Sequence, residues 1–259
     1  MKTKVDVILL CGGKAERLTP ITEGVLAKSL VKVANKELIR YTLDLLDDTR
    51  INKLIFATNH YDDQIIEWAK KQNLLYEYDF SYQKKQGILD AIYCAAQQSN
   101  ADTLIILNTD EIRLNFCFKD FLNYHLENKS SATIASTKTK NLYKHRVLKI
   151  DKNNFVKSSS LKNAQYVEHA FKTGFVNIGC LAINKSDLTC NEKIDDYGWS
   201  GLIDWLIQDK MLRACVDQKI NYFNVGTLEE FIEADRFVSA ITKPARTNQL
   251  IETASLDHV

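Results

Sequence analysis

Proline and glycine are scarce in this chain, with 2 prolines and 9 glycines among 259 residues. Average usage is roughly 5% proline and 7% glycine, so collagen-like, linker-rich and proline-rich architectures are excluded. The scarcity makes each glycine more informative. The sequence contains a single adjacent glycine pair, Gly12-Gly13, and it directly follows the first apolar run. This position is therefore the first candidate for a functional loop.

The chain also lacks a charge imbalance, a long apolar run and paired cysteines. A net charge of +1 argues against a chain built to bind polyanions, so no nucleic-acid partner is expected. The apolar run at residues 7–11 is too short for a signal peptide, and no segment approaches the ~20 apolar residues of a membrane span. The 6 cysteines contain no C-x-x-C pair, which predicts buried, reduced thiols and a cytoplasmic location.

Short apolar runs alternate with segments of helical periodicity in the first half of the chain. This alternation predicts a parallel sheet with helices on both faces. The predicted strands are 5–10, 53–58, 75–80, 103–107, 131–137, 145–150 and 174–184. The predicted helices are 36–48, 62–72, 87–98, 199–208 and 227–238, and 151–163 is expected to be a turn and loop. We expect one domain over residues 1–242 and a polar tail over residues 243–259.

Ligands of doubly wound sheets bind at the carboxyl ends of the strands, so the loop after the first strand is the place to look for chemistry. Gly12 and Gly13 would let backbone N–H groups approach phosphate oxygens, and Arg17 and Lys28 add positive charge. The loop has neither the G-x-G-x-x-G nor the Walker A pattern. From the residues alone, a polyphosphate cradle and a tight turn with two surface cations are both open.

The motifs of this loop resemble those of the sugar-1-phosphate nucleotidyltransferases. Residues 7–22 read V-I-L-L-C-G-G-K-A-E-R-L-T-P-I-T, residues 27–30 read A-K-S-L and residues 35–39 read N-K-E-L-I. The family pattern is roughly G-G-x-G-[TE]-R-L-x-P-x-T, then P-K-P-[LM], then G-K-P-[IL]. The chain departs from it at Ala15, Ala27, Ser29, Asn35 and Glu37. The resemblance implies an α/β fold of Rossmann-like, GT-A type, with a mostly parallel sheet flanked by helices.

The same resemblance implies a catalytic group and a metal site. Arg17, Lys28 and Asp110 would be catalytic, and Asp110 with Asn224 would hold Mg²⁺. Asp110 lies in L-N-T-D-E, similar to the family's G-D-[NTV], and Asn224 in F-N-V-G-T-L-E-E, similar to D-[IV]-G-T-P-E-D. Asp110 read alone is equally a strand-terminating carboxylate. Thr227 and Glu230 also predict a capping box for the last helix.

Substrate-binding residues follow from further segments of the resemblance. The nucleotide would contact the first loop and the turn after the third strand, at Gly12, Gly13, Lys14, Gln83 and Gly87. The sugar phosphate would contact Glu168, Lys172, Asn177 and Gly179, where V-N-I-G is similar to the family's N-x-G. Lys172 is otherwise a surface lysine. Asp90 is explained by the macrodipole of a helix alone.

The resemblance implies transfer of a nucleotidyl group from a nucleoside triphosphate to a sugar-1-phosphate, with release of pyrophosphate. GTP is favoured as the triphosphate and CTP is next. The alternatives are a cytidylyltransferase acting on phosphocholine or another small phosphate ester, a GT-A-like glycosyltransferase, and a non-catalytic nucleotide- or sugar-binding subunit. The first loop disfavours the glycosyltransferase, which handles no triphosphate. A homodimer is compatible with the sequence.

Overall fold

The central strand of the molecule forms from the first apolar run of the chain. In the computed structural model, β1 (Val5–Leu10) pairs in parallel with β4 (Ile51–Thr58) on one side and with β6 (Thr103–Asn108) on the other. A strand with parallel neighbours on both sides and helices on both faces is expected to be apolar on both faces. β1 fits this except at the buried Asp6, whose carboxylate accepts hydrogen bonds from Asn52 and Ser99. The structure describes residues 3–85, 87–140, 142, 145–160, 173–188, 198–209 and 211–242.

Nine strands form one sheet, and four more form two small ribbons. Besides β1, β4 and β6, the strands are β2 (Lys32–Val33), β3 (Lys36–Glu37), β5 (Glu77–Tyr82), β7 (Glu111–Leu114), β8 (Ala132–Thr139), β9 (Val147–Ile150), β10 (Val156–Ser159), β11 (Gly174–Asn184), β12 (Leu212–Val216) and β13 (Asn221–Asn224). The main order of the sheet is β10-β9-β11-β6-β1-β4-β5, with β8 beside β11 and β12 beside β8. Two small ribbons, β2–β3 and β7–β13, stand apart from it. The pairings along β6, β1, β4 and β5 are parallel, and those around β11 are antiparallel.

Helices cover both faces of this sheet. Because alternate residues of β1 point to opposite sides, the strand presents apolar side chains to the helices on each face. Val7 and Leu9 pack with Phe121 of one layer, whereas Ile8 packs with Ile92 and Leu202 of the other. The predicted α/β fold with a mostly parallel sheet flanked by helices is confirmed. The helices are α1 (Thr19–Thr22), α2 (Leu38–Leu43), α3 (Asp62–Lys70), α4 (Ile88–Gln97), α5 (Phe118–Glu127), α6 (Trp199–Gln208) and α7 (Leu228–Thr242).

A third, smaller apolar cluster fastens the first loop to the end of the described chain. Leu18 and Val31, on either side of Lys28, pack with Ile112 of β7 and with Val225 and Ala234 around the start of α7. All of these side chains are fully buried. The cluster therefore fixes the loop after β1 against the β7–β13 ribbon.

Several sequence expectations were wrong in detail. The helix expected over 36–48 is shorter, because residues 36–37 pair with β2 and α2 spans only Leu38–Leu43. The loop expected over 151–163 contains β10, which pairs with β9. Cys117 is exposed, contrary to the expectation of buried thiols, although Cys11 and Cys180 are buried. The predicted tail, 243–259, lies outside the described residues. Among the residues that the structure describes, no helix has both the length and the apolar character of a membrane span.

Candidate active site

A cavity of about 270 Å³ opens at the carboxyl ends of β1, β4 and β6. It is the place where the strand order of a parallel sheet leaves a crevice for ligands. Seven of the predicted site residues line it, namely Gly12, Gly13, Lys14, Lys28, Gln83, Gly87 and Asp110. Apolar groups of Leu10, Ala57, Ile88 and Ala91 line it as well. The cavity therefore offers cations and backbone groups beside a patch of apolar wall.

The loop after β1 lies along the edge of the cavity, and Gly12, Gly13 and Ala15 in it differ in the space around the backbone or in its conformation. A Cβ atom on Gly12 would lie 3.2 Å from Cβ of Asn59, so the glycine permits close approach to the end of β4. A Cβ atom on Gly13 would meet nothing within 4 Å. Ala15 adopts φ 57° and ψ 24°, the left-handed conformation, which costs a residue with a Cβ about 1–2 kcal/mol. The third glycine of the family pattern is thus replaced at a position where glycine would be unstrained.

Lys28 and Asp110 form an ion pair inside the cavity. The Lys28 ammonium contacts Oδ2 of Asp110, and only 13% of the lysine side chain and 28% of the aspartate side chain are exposed. Burial raises the pKa of Asp110, but the charge and hydrogen bond of Lys28, with the charge of Arg113, outweigh it and hold the pKa below its usual value. The carboxylate is therefore ionised at neutral pH.

Thr109 connects the three segments that carry these charges. Its hydroxyl donates to the carbonyl of Leu10 at 2.7 Å and lies 2.7 Å from the hydroxyl of Ser29. Cys11 Sγ lies 3.8 Å from the same hydroxyl, and burial raises the pKa of this thiol to about 12. The buried side chain of Thr109, the residue before Asp110, thus contacts both the end of β1 and Ser29, the residue after Lys28.

Asn224 and Arg17 are not part of the lining of this cavity, and both lie close to Gly226. Asn224 pairs with Glu111 in the β7–β13 ribbon, and the N–H of Val225 donates to the carbonyl of Asp110 at 3.0 Å. A Cβ atom on Gly226 would lie 3.2 Å from Nδ2 of Asn224 and 3.4 Å from Nη2 of Arg17. The structure therefore places both predicted residues around the turn that follows β13, adjacent to Asp110.

The turn after β13 caps the last helix, α7. The N–H of Glu230 donates to the Thr227 hydroxyl at 3.3 Å, and the Glu230 carboxylate accepts from the N–H of Gly226 at 2.9 Å. Asn224 Nδ2 also donates to this carboxylate, at 3.3 Å. The predicted N-cap at Thr227 is confirmed, whereas Glu230 departs from the predicted capping box, because its carboxylate accepts from the residue before the N-cap. The same carboxylate also orients Asn224.

A buried charge network that sequence reasoning missed lies directly behind Asp110. Arg113 is fully buried and donates to the Glu111 carboxylate at 2.8 Å and to the carbonyls of Asn108 and Gly179 at 3.1 and 2.8 Å. Burial raises the pKa of Glu111, and the guanidinium opposes that rise. The only signal in the sequence was the alternation E-I-R-L of β7, in which both polar side chains share a face.

Gly179 has a structural role in this network. It adopts φ +61°, and a Cβ atom there would lie 1.9 Å from Oε2 of Glu111. The Gly179 N–H donates a hydrogen bond to Oδ1 of Asn177 at 2.8 Å. The N-x-G segment is therefore a bulge in β11 that accommodates the ion pair, and its predicted contact with a sugar phosphate stays a prediction.

The turn between β5 and α4 forms the opposite wall of the cavity. Gly87 adopts φ 121° immediately before α4, a conformation that favours glycine. Asp90 accepts hydrogen bonds from the backbone N–H groups of Lys84 and Lys85, at 2.6 and 2.7 Å. Asp90 therefore shapes the loop that carries Gln83, a role beyond the helix macrodipole. Glu168 and Lys172 lie outside the described residues.

Asp110 and Asn224 are the two metal ligands that the resemblance predicts, and their chemistry can be compared with what Mg²⁺ requires. Within the part of the chain that the structure describes, no group of three or more His, Cys, Asp and Glu side chains could hold a metal ion. A carboxylate in the cavity and an amide in the neighbouring ribbon are ligand types that Mg²⁺ accepts, since the ion is usually bound by one or two carboxylates together with substrate phosphates. The residues therefore fit a metal that arrives with a polyphosphate and do not fit an all-protein metal cage.

Known proteins are similar to this chain in sequence and in fold. Mannose-1-phosphate guanylyltransferase catalytic subunit beta of Drosophila melanogaster is 27% identical over 172 residues, covering 64% of this chain and 46% of that protein. The chain thus spans about half the length of such relatives. The structure of HddC from Yersinia pseudotuberculosis complexed with GMP-PN matches with a TM-score of 0.73 and 23% identity, over 90% of this chain and 99% of that one.

A second solved structure, UDP-glucose pyrophosphorylase complexed with UDP-glucose, matches with a TM-score of 0.74 and 14% identity, over 92% of this chain and 100% of that one. At these identities the structural matches establish the fold. The profile of the nucleotidyl transferase family matches residues 6–240. The resemblance indicated by the first loop is therefore confirmed, and this chain belongs to the nucleotidyl transferase family.

Proposed function

We propose that this chain transfers a nucleotidyl group from a nucleoside triphosphate to a sugar-1-phosphate. A phosphate oxygen of the sugar phosphate attacks the α-phosphorus, the bond from that phosphorus to the bridging oxygen of the β-phosphate breaks, and pyrophosphate leaves. The products are a nucleoside diphosphate sugar and pyrophosphate. The attacking oxygen is already anionic, so the reaction needs positioning and charge stabilisation more than a general base.

The observation that carries this proposal is the convergence of the glycine loop, Lys28 and Asp110 on one cavity. The backbone of Gly12 and Gly13 approaches the cavity without a side chain in the way, which suits phosphate oxygens. Lys28 is buried enough for its charge to act in a low dielectric. We assign it, with Arg17, to neutralising the triphosphate as negative charge moves onto pyrophosphate.

Asp110 and Asn224 would hold Mg²⁺ in this proposal. The metal supplies charge stabilisation at the α-phosphate when it is bound. Asp110 would contribute a negative charge, and Asn224 an amide oxygen from the neighbouring ribbon. Because the protein offers so few ligands, we expect the metal to bind weakly without nucleotide.

We propose GTP as the preferred triphosphate and CTP as the next. The support for GTP is that the relatives include mannose-1-phosphate guanylyltransferases, and that HddC was solved with GMP-PN. The apolar wall at Leu10, Ile88 and Ala91 can pack against a base, and Gln83 can offer it a donor and an acceptor. Gly12, Gly13 and Lys14 would contact the phosphates, and Glu168, Lys172, Asn177 and Gly179 the sugar phosphate.

Pyrophosphate release with each of the four triphosphates, Mg²⁺ and a panel of sugar phosphates tests the proposal. Phosphocholine is included in the panel. We expect release with a sugar-1-phosphate and GTP. Release only with CTP and phosphocholine would replace the sugar by a different phosphate ester, and triphosphate binding without any release would identify a non-catalytic subunit.

A further inference from the structure

The residue before Lys28 is held by a side chain from a distant helix. Gln64, in the first turn of α3, accepts a hydrogen bond at Oε1 from the N–H of Ala27, at 2.9 Å. The same amide donates through Nε2 to the carbonyl of Val25, at 2.6 Å. One side chain thus spans the backbone of the segment that leads to Lys28. Such a two-point contact restricts the backbone more than a single bond does.

A neighbouring tyrosine extends the attachment by one residue. The hydroxyl of Tyr61, immediately before α3, donates to the carbonyl of Gly24 at 2.6 Å. Residues 24–27 are therefore fastened to the start of α3 along their length. On the other side of Lys28, the hydroxyl of Ser29 lies 2.7 Å from that of Thr109. Both neighbours of Lys28 are consequently tied to other parts of the molecule.

Ala27 has the backbone conformation of a proline although it is an alanine. Ala27 adopts φ −56° and ψ 130°, within the narrow φ range to which proline is fixed. Alanine has no such restriction, so holding it there loses conformational entropy that a proline would not lose. Ala27 in turn has the N–H group that proline lacks, and Gln64 accepts from that group.

We propose that Gln64 is a positioning residue for Lys28. Its amide holds the backbone of Ala27 in the conformation that a proline ring would otherwise fix, and thereby sets the position of the lysine. The proposal rests on the function proposed above, in which the Lys28 ammonium acts on the triphosphate. Gln64 does not line the cavity, so its effect reaches the reaction only through the position of the lysine. A misplacement of about 1 Å at such a group can cost a factor of about 10² in rate.

A double-mutant cycle in the full chain tests this role. Gln64→Ala should lower kcat about 10-fold, with a smaller change in KM for the triphosphate, because binding involves many groups and the transition state depends on alignment. Ala27→Pro alone should also lower kcat, because the ring replaces the N–H and meets the Gln64 amide 2.9 Å away. In the double variant the amide is gone and the ring has space, so kcat should recover to within about 3-fold of wild type.

Glu67→Ala is the matched control, since Glu67 is exposed on the same helix and pairs only with Lys71 among the ion pairs described. It should leave kcat unchanged. Wild-type kcat in Gln64→Ala, or a double variant as impaired as the product of the single effects, would overturn the proposal. Should Gln64→Ala fail to fold, Gln64→Glu keeps the acceptor for Ala27, loses the donor to Val25 and should show an intermediate kcat.

Hydrogen exchange separates this proposal from the proposed function. The Ala27 amide should exchange slowly in wild type and at least 10-fold faster in Gln64→Ala, with no change in Glu67→Ala, whether or not the chain shows transfer activity; the factor corresponds to about 1.4 kcal/mol of lost protection. Equal exchange in all three proteins would contradict the attachment itself. Accelerated exchange in a chain without nucleotidyl transfer would leave the attachment standing and refute the proposed function.

Discussion

At the scale of single residues, the lysines near the first loop differ in their surroundings. Lys28 is 13% exposed and pairs with Asp110, whereas Lys32 is 62% exposed and pairs with Glu37 in the β2–β3 ribbon. A charge acts more strongly where water is excluded. The same residue type four positions apart therefore provides a comparison between a site lysine and a surface lysine.

Lys28→Ala should lower turnover by at least about 10²-fold, the scale of losing one preorganised charge partner. Lys32→Ala should turn over at the wild-type rate, because its ammonium lies outside the cavity lining. Steady-state kinetics and far-UV circular dichroism of both variants check the prediction. A folded Lys28→Ala protein with wild-type turnover would remove the lysine from the mechanism.

Gly13→Val should abolish triphosphate binding and leave the fold intact. The Cβ of Gly13 would meet nothing within 4 Å, so the added side chain has room in the protein but occupies the cavity edge where phosphate would approach the backbone. A thermal-shift titration with GTP and Mg²⁺ measures this, since a ligand that binds the native state raises the midpoint of unfolding. An unaltered GTP-dependent shift would show that the two glycines only shape a turn.

At the scale of elements, the β7–β13 ribbon and the bulge in β11 meet at one ion pair. Glu111 and Arg113 of β7 contact the backbone of Gly179 in β11, and β13 presents Asn224 to the residue after Asp110. A buried arginine with its partners removed would be an uncompensated charge, which costs several kcal/mol. The position of the ribbon therefore depends on the bulge at Gly179, which leaves space for the Glu111–Arg113 ion pair.

Gly179→Ala should destabilise the protein by about 2–4 kcal/mol, because it forces a positive φ on alanine and a clash with Glu111. Gly13→Ala is the control, since it adds the same methyl group at a position with free space. Urea denaturation of the two variants measures the difference. Equal midpoints would contradict the packing described for the bulge.

At the scale of the whole molecule, the periodic elements could be predicted from the sequence and the ribbons could not. The strand at Gly174–Asn184 and the helix at Trp199–Gln208 match the predicted bounds, because apolar spacing reports local burial directly. The β7–β13 ribbon consists of four-residue strands far apart in sequence, so its pairing has no local signature. The same holds for the Gln64 and Thr109 contacts, which only the fold brings to the lysine segment.

His125 predicts how the stability of the whole protein depends on pH. It is buried between α5 and β8, 2.9 Å from the Thr133 hydroxyl, and burial lowers its pKa from 6.5 to about 4. The unfolded chain therefore binds a proton between pH 6.5 and about 4 that the folded chain does not. Above pH 6.5 the residue is neutral in both states. Because protonation stabilises only the unfolded chain between pH 6.5 and about 4, the free energy of unfolding should fall by about 3 kcal/mol as the pH is lowered through this range.

Urea denaturation at a series of pH values checks this prediction, with His125→Gln as the comparison. The variant should show a shallower decline, since it has lost the titrating group. Identical pH slopes in the two proteins would contradict the assignment to His125. If the variant does not fold, a wild-type free energy of unfolding that is unchanged between pH 6.5 and 5 would contradict it equally.

The most direct test of the nucleotidyl-transfer claim is the fate of the phosphate oxygens in one reaction. A sugar-1-phosphate labelled with ¹⁸O in its phosphate is incubated with GTP, Mg²⁺ and the chain, and the products are analysed by mass spectrometry. Asp110→Ala and Asp102→Ala, at opposite ends of β6, serve as the site variant and the exposed control. Our account predicts that all of the label appears in the nucleoside diphosphate sugar, none in pyrophosphate, and that Asp110→Ala alone forms almost no product. Hydrolysis of GTP without a labelled nucleotide sugar, or full product formation by Asp110→Ala, would contradict it.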